Sequence, residues 1–161
     1  MSKPVAEFED FYRAHHRRLA SALYLLTGSA SEAEDLAQEA MARVYERWPR
    51  VSTMASPEGF VYRIAMNLNR SRLRRLAVRM RRAPASPPRA DELEAATARL
   101  DVHRALQGLT REQREAVILV DWLGLGADGA APILGVKPAT IRTRLHRARP
   151  ILRERLGRDD D

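Results

Sequence analysis

The sequence predicts an all-α fold: two small helical domains joined by a proline-rich linker, the second containing a helix-turn-helix. Three observations lead there. Apolar residues recur at helical spacing along most of the chain, and no stretch of strand length alternates apolar and polar residues with period two. The run Ala83-Pro84-Ala85-Ser86-Pro87-Pro88 places three prolines within five residues, which excludes a regular helix and favours an extended, solvated linker. Near the C-terminus, Gly135 closes a short apolar segment and Pro138 opens a helix at its first turn, where its missing N–H costs nothing. Ile141, Leu145, Ala148 and Leu152 then recur at i, i+4, i+7 and i+11 as one buried stripe, while Arg, Thr and His fill the other directions. Two helices joined by a glycine turn, the second basic outside its stripe, describe a DNA-reading helix-turn-helix.

The first domain, residues 1–82, is expected to hold three main helices. Phe8, Phe11, Tyr12, His15, Leu19, Ala22, Leu23 and Leu26 share one face of the first, which ends near Thr27-Gly28-Ser29. Ser31-Glu32-Ala33-Glu34 reads as a capping box that starts the second, with Leu36, Ala40, Val44 and Trp48 carrying it to Pro49. A loop with Ser52, Thr53 and Ser56 follows. Ser56-Pro57 then starts the third in the favoured order of cap then proline. Phe60, Val61, Ile64, Ala65 and Leu68 bury one side of it, and Arg63, Asn67, Arg70 and Arg74 line another.

After the linker, residues 83–90, a second helical unit spans 91–158. Leu93, Leu100 and Leu106 mark one helix, and Thr110-Arg111-Glu112-Gln113 a capping box. Val117, Leu119, Val120, Trp122 and Leu123 form the core helix ahead of Gly124. Because the linker separates two helical patterns, brief proteolysis is expected to cut between Arg82 and Arg89 and leave two helical fragments. First cleavage within residues 10–75 would put the boundary elsewhere.

Charge is unevenly distributed. The chain of 161 residues carries a formal net charge of +7, which suits a polyanionic partner. Arg70 to Arg82 contains seven arginines and no acid, and Lys137 to Arg155 seven Lys/Arg against Glu154 alone. Residues 1–48 instead hold eight acids against six Lys/Arg. Two basic blocks and one acidic helix pair suggest two nucleic-acid contacts and a separate protein contact. The absence of cysteine removes disulfides, thiolate metal sites and thiol redox sensing. No run approaches the roughly 18 apolar residues of a membrane span, and the N-terminus leads into acids, so no membrane insertion and a cytoplasmic location are expected.

Together these motifs resemble bacterial RNA polymerase sigma factors of the extracytoplasmic-function (ECF) type. The resemblance runs from about Phe8 to Leu156 and is carried by Glu34-Asp35-Leu36-Ala37-Gln38-Glu39, Phe60 to Leu68 with Arg72-Leu73-Arg74-Arg75, Leu109 to Leu123, Leu134-Gly135-Val136, and Thr140 to Arg149. It implies a region 2-like first domain and a region 4-like second. Core RNA polymerase and promoter DNA are the implied partners, an anti-sigma factor is a further one, and no cofactor or metal is implied. Asp35, Gln38 and Glu39 then correspond to the acidic helix that grips the polymerase. Arg63, Asn67, Arg70 and Arg74 fall on the helix that recognises and melts the minus-10 element. The analogy sets Asn67 beside a pocket for a flipped base, with residues 49–55 as its rim. Thr140, Arg142, Thr143, Arg144, His146, Arg147 and Arg149 fall on the minus-35 reader.

The chemistry of these residues agrees. Melting exchanges base stacking for protein contacts. An Asn amide can donate and accept at a base edge, and neighbouring arginines can hold flanking phosphates. In the major groove, an arginine fork matches guanine O6 and N7, and a threonine methyl matches thymine. Arg142 and Arg147 are the foremost candidates for bases, Arg144 and Arg149 for phosphates.

Several residues depart from the family pattern. Pro132 is expected to shorten or kink the first helix of the motif, and Gly126, Gly129 and Ala130 to loosen it. Lys137 replaces the usual Ser/Thr cap. Pro150 is expected to interrupt the last helix. Ser71 stands where Asp is common, so that ion pair is expected to be missing.

Three other classes compete. A stand-alone helix-turn-helix regulator explains the second domain but leaves the acidic helix and the Asn67 helix without roles. An enzyme is disfavoured: His15 and His16 are adjacent and point about 100° apart on a helix, and no catalytic constellation accompanies them. An RNA scaffold lacks the aromatic sheet or glycine loop of RNA modules.

Overall fold

A computed structural model describes residues 3–82 and 97–157, and every regular element among them is helical. The proposed linker lies outside the described residues, as does Leu93. The first unit comprises α1 (Lys3–Thr27), α2 (Ala30–Glu46), the single turn α3 (Trp48–Val51) and α4 (Pro57–Arg82). The second comprises α5 (Thr97–Leu106), α6 (Arg111–Val117) continued by a π-helical segment (Ile118–Trp122), α7 (Ala127–Leu134) and α8 (Pro138–Leu156).

Local signals place most helix ends. Gly28 and Gly135 have φ of 69° and 66°, left-handed values that glycine adopts without penalty. At Gly135 the Val136 N–H reaches back to the Ala131 carbonyl at 3.0 Å, closing α7 and setting the turn into α8. Ser56 accepts from the Gly59 N–H at 3.1 Å at the head of α4. The expected box at α6 is complete: Gln113 N–H donates to Thr110 Oγ1 at 3.2 Å, and Thr110 N–H to Gln113 Oε1 at 3.1 Å.

Three expectations are corrected. The cap of α2 is Ser29, not Ser31: Ser29 has an extended backbone and accepts from Glu32 N–H. The Glu32 carboxylate, which could have reached back to complete a box, bonds Arg72 at 2.9 Å instead. Helix α2 ends at Glu46, and part of the expected loop is the turn α3, with Pro49 near its start. Pro150 does not interrupt α8, which runs through it to Leu156. The proline is exposed, and Ile151 and Leu152 beyond it still pack against the core, so tertiary packing offsets the missing N–H. Three further departures fall as follows. With Pro132 inside it, α7 spans eight residues, and Lys137 makes no capping bond. Ser71 accepts from Arg74 at 2.9 Å in place of an ion pair.

In the first unit, α1 and α4 both pack on α2 through Leu19, Leu23, Ala37, Ala40, Met41, Val61 and Ala65. In the second, α8 lies across α6 and α7. Of its expected stripe, Ile141, Leu145 and Ala148 are nearly inaccessible, while Leu152 is half-buried. The units also touch each other, α5 on α1 and α7 on α4, so their apolar side chains form one contiguous core.

Candidate nucleic-acid and polymerase interfaces

Helix α2 sorts its residues by side. Leu36, Ala37, Ala40, Met41 and Val44 are buried, while Asp35, Gln38 and Glu39 are exposed. Two of these three already have local partners. The Gln38 amide donates to Tyr12 Oη at 2.9 Å and to Glu34 Oε1 at 3.0 Å, and Glu39 pairs with Arg43 one turn on at 3.0 Å. Such an i, i+4 pair contributes ~0.3–0.5 kcal/mol, so it does not bar an incoming partner. His16 lies 3.0 Å from Glu34, and the His15 ring packs at a tilt against Phe11, with ring centres 4.6 Å apart. The two histidines therefore face different neighbours. Among the described residues no group of three His, Asp or Glu is arranged to hold a metal.

Helix α4 presents a second face. Arg63, Asn67 and Arg74 are exposed on one stripe at i, i+4 and i+11. Their spacing follows from packing: Val61, Tyr62, Ala65 and Met66 are drawn inward, which turns these positions outward. Arg70, the fourth expected member, is half-buried and engaged by Glu115 of α6, with its Nε 3.0 and 3.2 Å from the two carboxylate oxygens. Glu115 is 2% exposed. Burial pushes its carboxyl above the ordinary range, while the hydrogen bond and charge of Arg70 and the charge of Arg111 pull it back. Sequence reasoning missed Glu115, because one acid in a mixed stretch gives no sign of a distant partner. Arg72, part of the sequence motif of this helix, anchors α4 to the start of α2 through Glu32 and donates to the buried Asn69 at 3.2 Å, a role its sequence position does not announce.

Helix α8 presents the third face. Arg142, Thr143, His146, Arg147 and Arg149 are exposed, while Thr140 and Arg144 are half-buried. Arg142, His146, Arg149 and Arg153 line one shallow cleft. Arg147 falls about 140° from Arg142 at 100° per residue and shares its side with Thr143. The Thr143 hydroxyl donates to the Ala139 carbonyl at 3.1 Å, which leaves it as an acceptor toward a ligand. Arg149 forms a bidentate pair with Asp121 at 2.8 and 3.3 Å. That exposed pair fixes the side chain over the π-helical segment.

The residues expected at these faces fall within two stretches that match known families. Residues 11–79 match the family described as Sigma-70 region 2, and residues 99–150 match Sigma-70, region 4. The RNA polymerase sigma-E factor of Streptomyces coelicolor is 32% identical over 161 residues, covering 98% of this chain and 90% of that protein. ECF RNA polymerase sigma factor SigM of Mycobacterium tuberculosis is 32% identical over 155 residues, covering 93% of this chain and 77% of that protein. ECF RNA polymerase sigma factor SigE of Mycolicibacterium smegmatis is 33% identical over 160 residues, covering 94% of this chain, which spans 62% of that longer relative. Among solved structures, the sigma factor RpoE from Bartonella quintana, determined in complex with the anti-sigma factor NepR, shares the fold. Its TM-score is 0.78 at 24% identity, covering 94% of this chain and 97% of that one. The chain belongs to the ECF RNA polymerase sigma factors.

Proposed function

We propose that this chain binds core RNA polymerase through the exposed acidic side of α2 and directs it to promoters, with α4 recognising and melting the minus-10 element and α8 reading the minus-35 element. The observation that carries the reading is the separation of three exposed faces on three helices: acidic on α2, mixed Asn/Arg on α4 and basic on α8. Asp35 and Glu39 contact the polymerase, and Gln38 orients the surface through Tyr12. Asn67 holds an unpaired base between the phosphate contacts of Arg63 and Arg74. Arg142 and Arg147 read bases, flanked by Thr140, Thr143, Arg144 and His146, and Arg149 holds a phosphate once it leaves Asp121. The domain boundaries proposed are 1–82, 83–90 and 91–158.

The chain performs no catalysis of its own in this reading and works in the cytoplasm, where the polymerase acts. No helix among the described residues is long and apolar enough to cross a membrane. An anti-sigma factor is a further proposed partner, as for the structural relative determined with one.

Two small basic surfaces give the free protein weak, sequence-indifferent affinity for DNA, and specificity arises with the polymerase. A gel shift on promoter duplex with and without core polymerase tests this. The expected result is a specific complex only with core, and weak binding by the protein alone that falls steeply with salt as counterions are released. Tight, specific, salt-insensitive binding by the protein alone would favour the stand-alone regulator.

A further inference from the structure

Of the four residues on the α4 stripe, Arg70 is set apart by its partner. Its Nε lies 3.0 and 3.2 Å from the two Glu115 oxygens, and its Nη2 lies 3.0 Å from one of them. The Nε–Nη2 edge of the guanidinium, one of the two that can fork onto a phosphate, is therefore filled from the second unit. Glu115 is almost wholly buried at the boundary between the units, where an ionised carboxylate is tolerated only when paired. Arg111, on the same helix as Glu115, adds a contact at 3.4 Å. A further polar contact crosses the boundary where His103 Nδ1 lies 2.7 Å from the Leu25 carbonyl oxygen. Gly28 makes room for that ring, since a Cβ there would stand 2.6 Å from His103 Nε2.

We propose that Glu115 and DNA phosphate compete for Arg70, so that docking of the second unit on α4 and use of Arg70 on DNA exclude each other. The proposal rests on the reading of α4 as a DNA-binding helix. Removing Arg70 from Glu115 while the units stay docked would take the bidentate partner from a buried carboxylate and leave it to Arg111 at 3.4 Å, which is destabilising. Arg70 is released only when the units part and water reaches Glu115. Docking then lowers the apparent affinity of α4 for DNA in proportion to the docked fraction, and DNA engaged by Arg70 favours the undocked chain by the same linkage.

The chain has no cysteine, so Ala42→Cys in α2 and Arg153→Cys in α8, both exposed positions, supply a pair of dye sites in the full-length protein. Energy transfer between the dyes reports docking. Fluorescence anisotropy with a short mixed-sequence single strand reports DNA binding, without polymerase. Glu115→Gln is expected to reduce transfer with helicity retained and to tighten strand binding up to about tenfold, the factor for a chain docked ~90% of the time. Adding Arg70→Gln should keep transfer low and remove the gain. Exchanging the charges, Arg70→Glu with Glu115→Arg, should restore transfer toward wild type while strand binding falls below it. Arg111→Gln, whose contact lies within the second unit, should leave transfer high.

Unchanged transfer in Glu115→Gln would overturn the proposal. If that variant fails to fold, Arg70→Gln alone carries the same docking prediction. Reduced transfer with no gain in binding would also overturn it, and Arg63→Gln then shows which premise failed. A strand-binding defect in Arg63→Gln leaves α4 as a DNA-binding helix and rejects only the competition. No effect there rejects the reading of α4 itself.

Discussion

Reversing the charge at Asp35 and Glu39 together, as Asp35→Lys with Glu39→Lys, is expected to abolish co-purification with core polymerase. Both side chains are exposed on α2, while Leu36, Ala37, Ala40 and Met41 of the same helix are buried. The substitutions therefore change the charge of the outward side and leave the packing intact. Glu39 also loses its pair with Arg43, and a like-charge pair at that spacing costs ~0.2–0.5 kcal/mol. That is small against the several kcal/mol that juxtaposed like charges can cost at an interface. Helicity and melting temperature should stay near wild type. Undiminished co-purification would make this side of α2 an ordinary solvated surface.

Asn67→Ala is expected to spare recruitment to a promoter and to impair opening. Its amide is exposed on α4 between Arg63 and Arg74, and a base-edge partner matters only after the strands separate. Arg142→Ala and Arg147→Ala should act earlier, each weakening the closed complex by ~1–3 kcal/mol if its guanidinium reads a guanine. A template with a pre-opened bubble separates the two classes. There the Asn67 defect should shrink, because unpairing is already done, while the Arg142 and Arg147 defects persist. Permanganate footprinting and filter binding on both templates measure this. An identical response of Asn67→Ala and Arg142→Ala to the bubble would contradict the division of labour between the two units.

Signals confined to a few neighbouring residues were legible in the sequence. The Thr110 box, the Ser56-Pro57 start, the Gly135 turn and the stripe Ile141–Leu145–Ala148 each depend on groups within a turn or two, and all are present. The misreadings share a different cause. The capping box is expected at Ser31, whereas the cap is Ser29, directly after the left-handed Gly28. Glu32 turned to Arg72, 40 positions away, a partner that no local pattern names. Pro150 would break an isolated helix, yet α8 continues because its far end packs on the core. The π-helical segment at Ile118–Trp122 carries no breaker residue that would announce it. At the candidate faces, charge and period were enough to mark Arg63, Asn67 and Arg74 as outward-facing. The engagement of Arg70 by Glu115 and of Arg149 by Asp121 arose from chain segments 45 and 28 positions distant.

Run-off transcription with purified core polymerase on genomic fragments tests the central assignment most directly. With this protein added, the assignment predicts transcripts from a small set of discrete start sites, absent when core polymerase or the protein is used alone. The same transcripts should disappear when Asp35 and Glu39 are reversed. Core polymerase that gains no start sites from the protein, while the protein alone binds duplex DNA tightly and specifically, would contradict it.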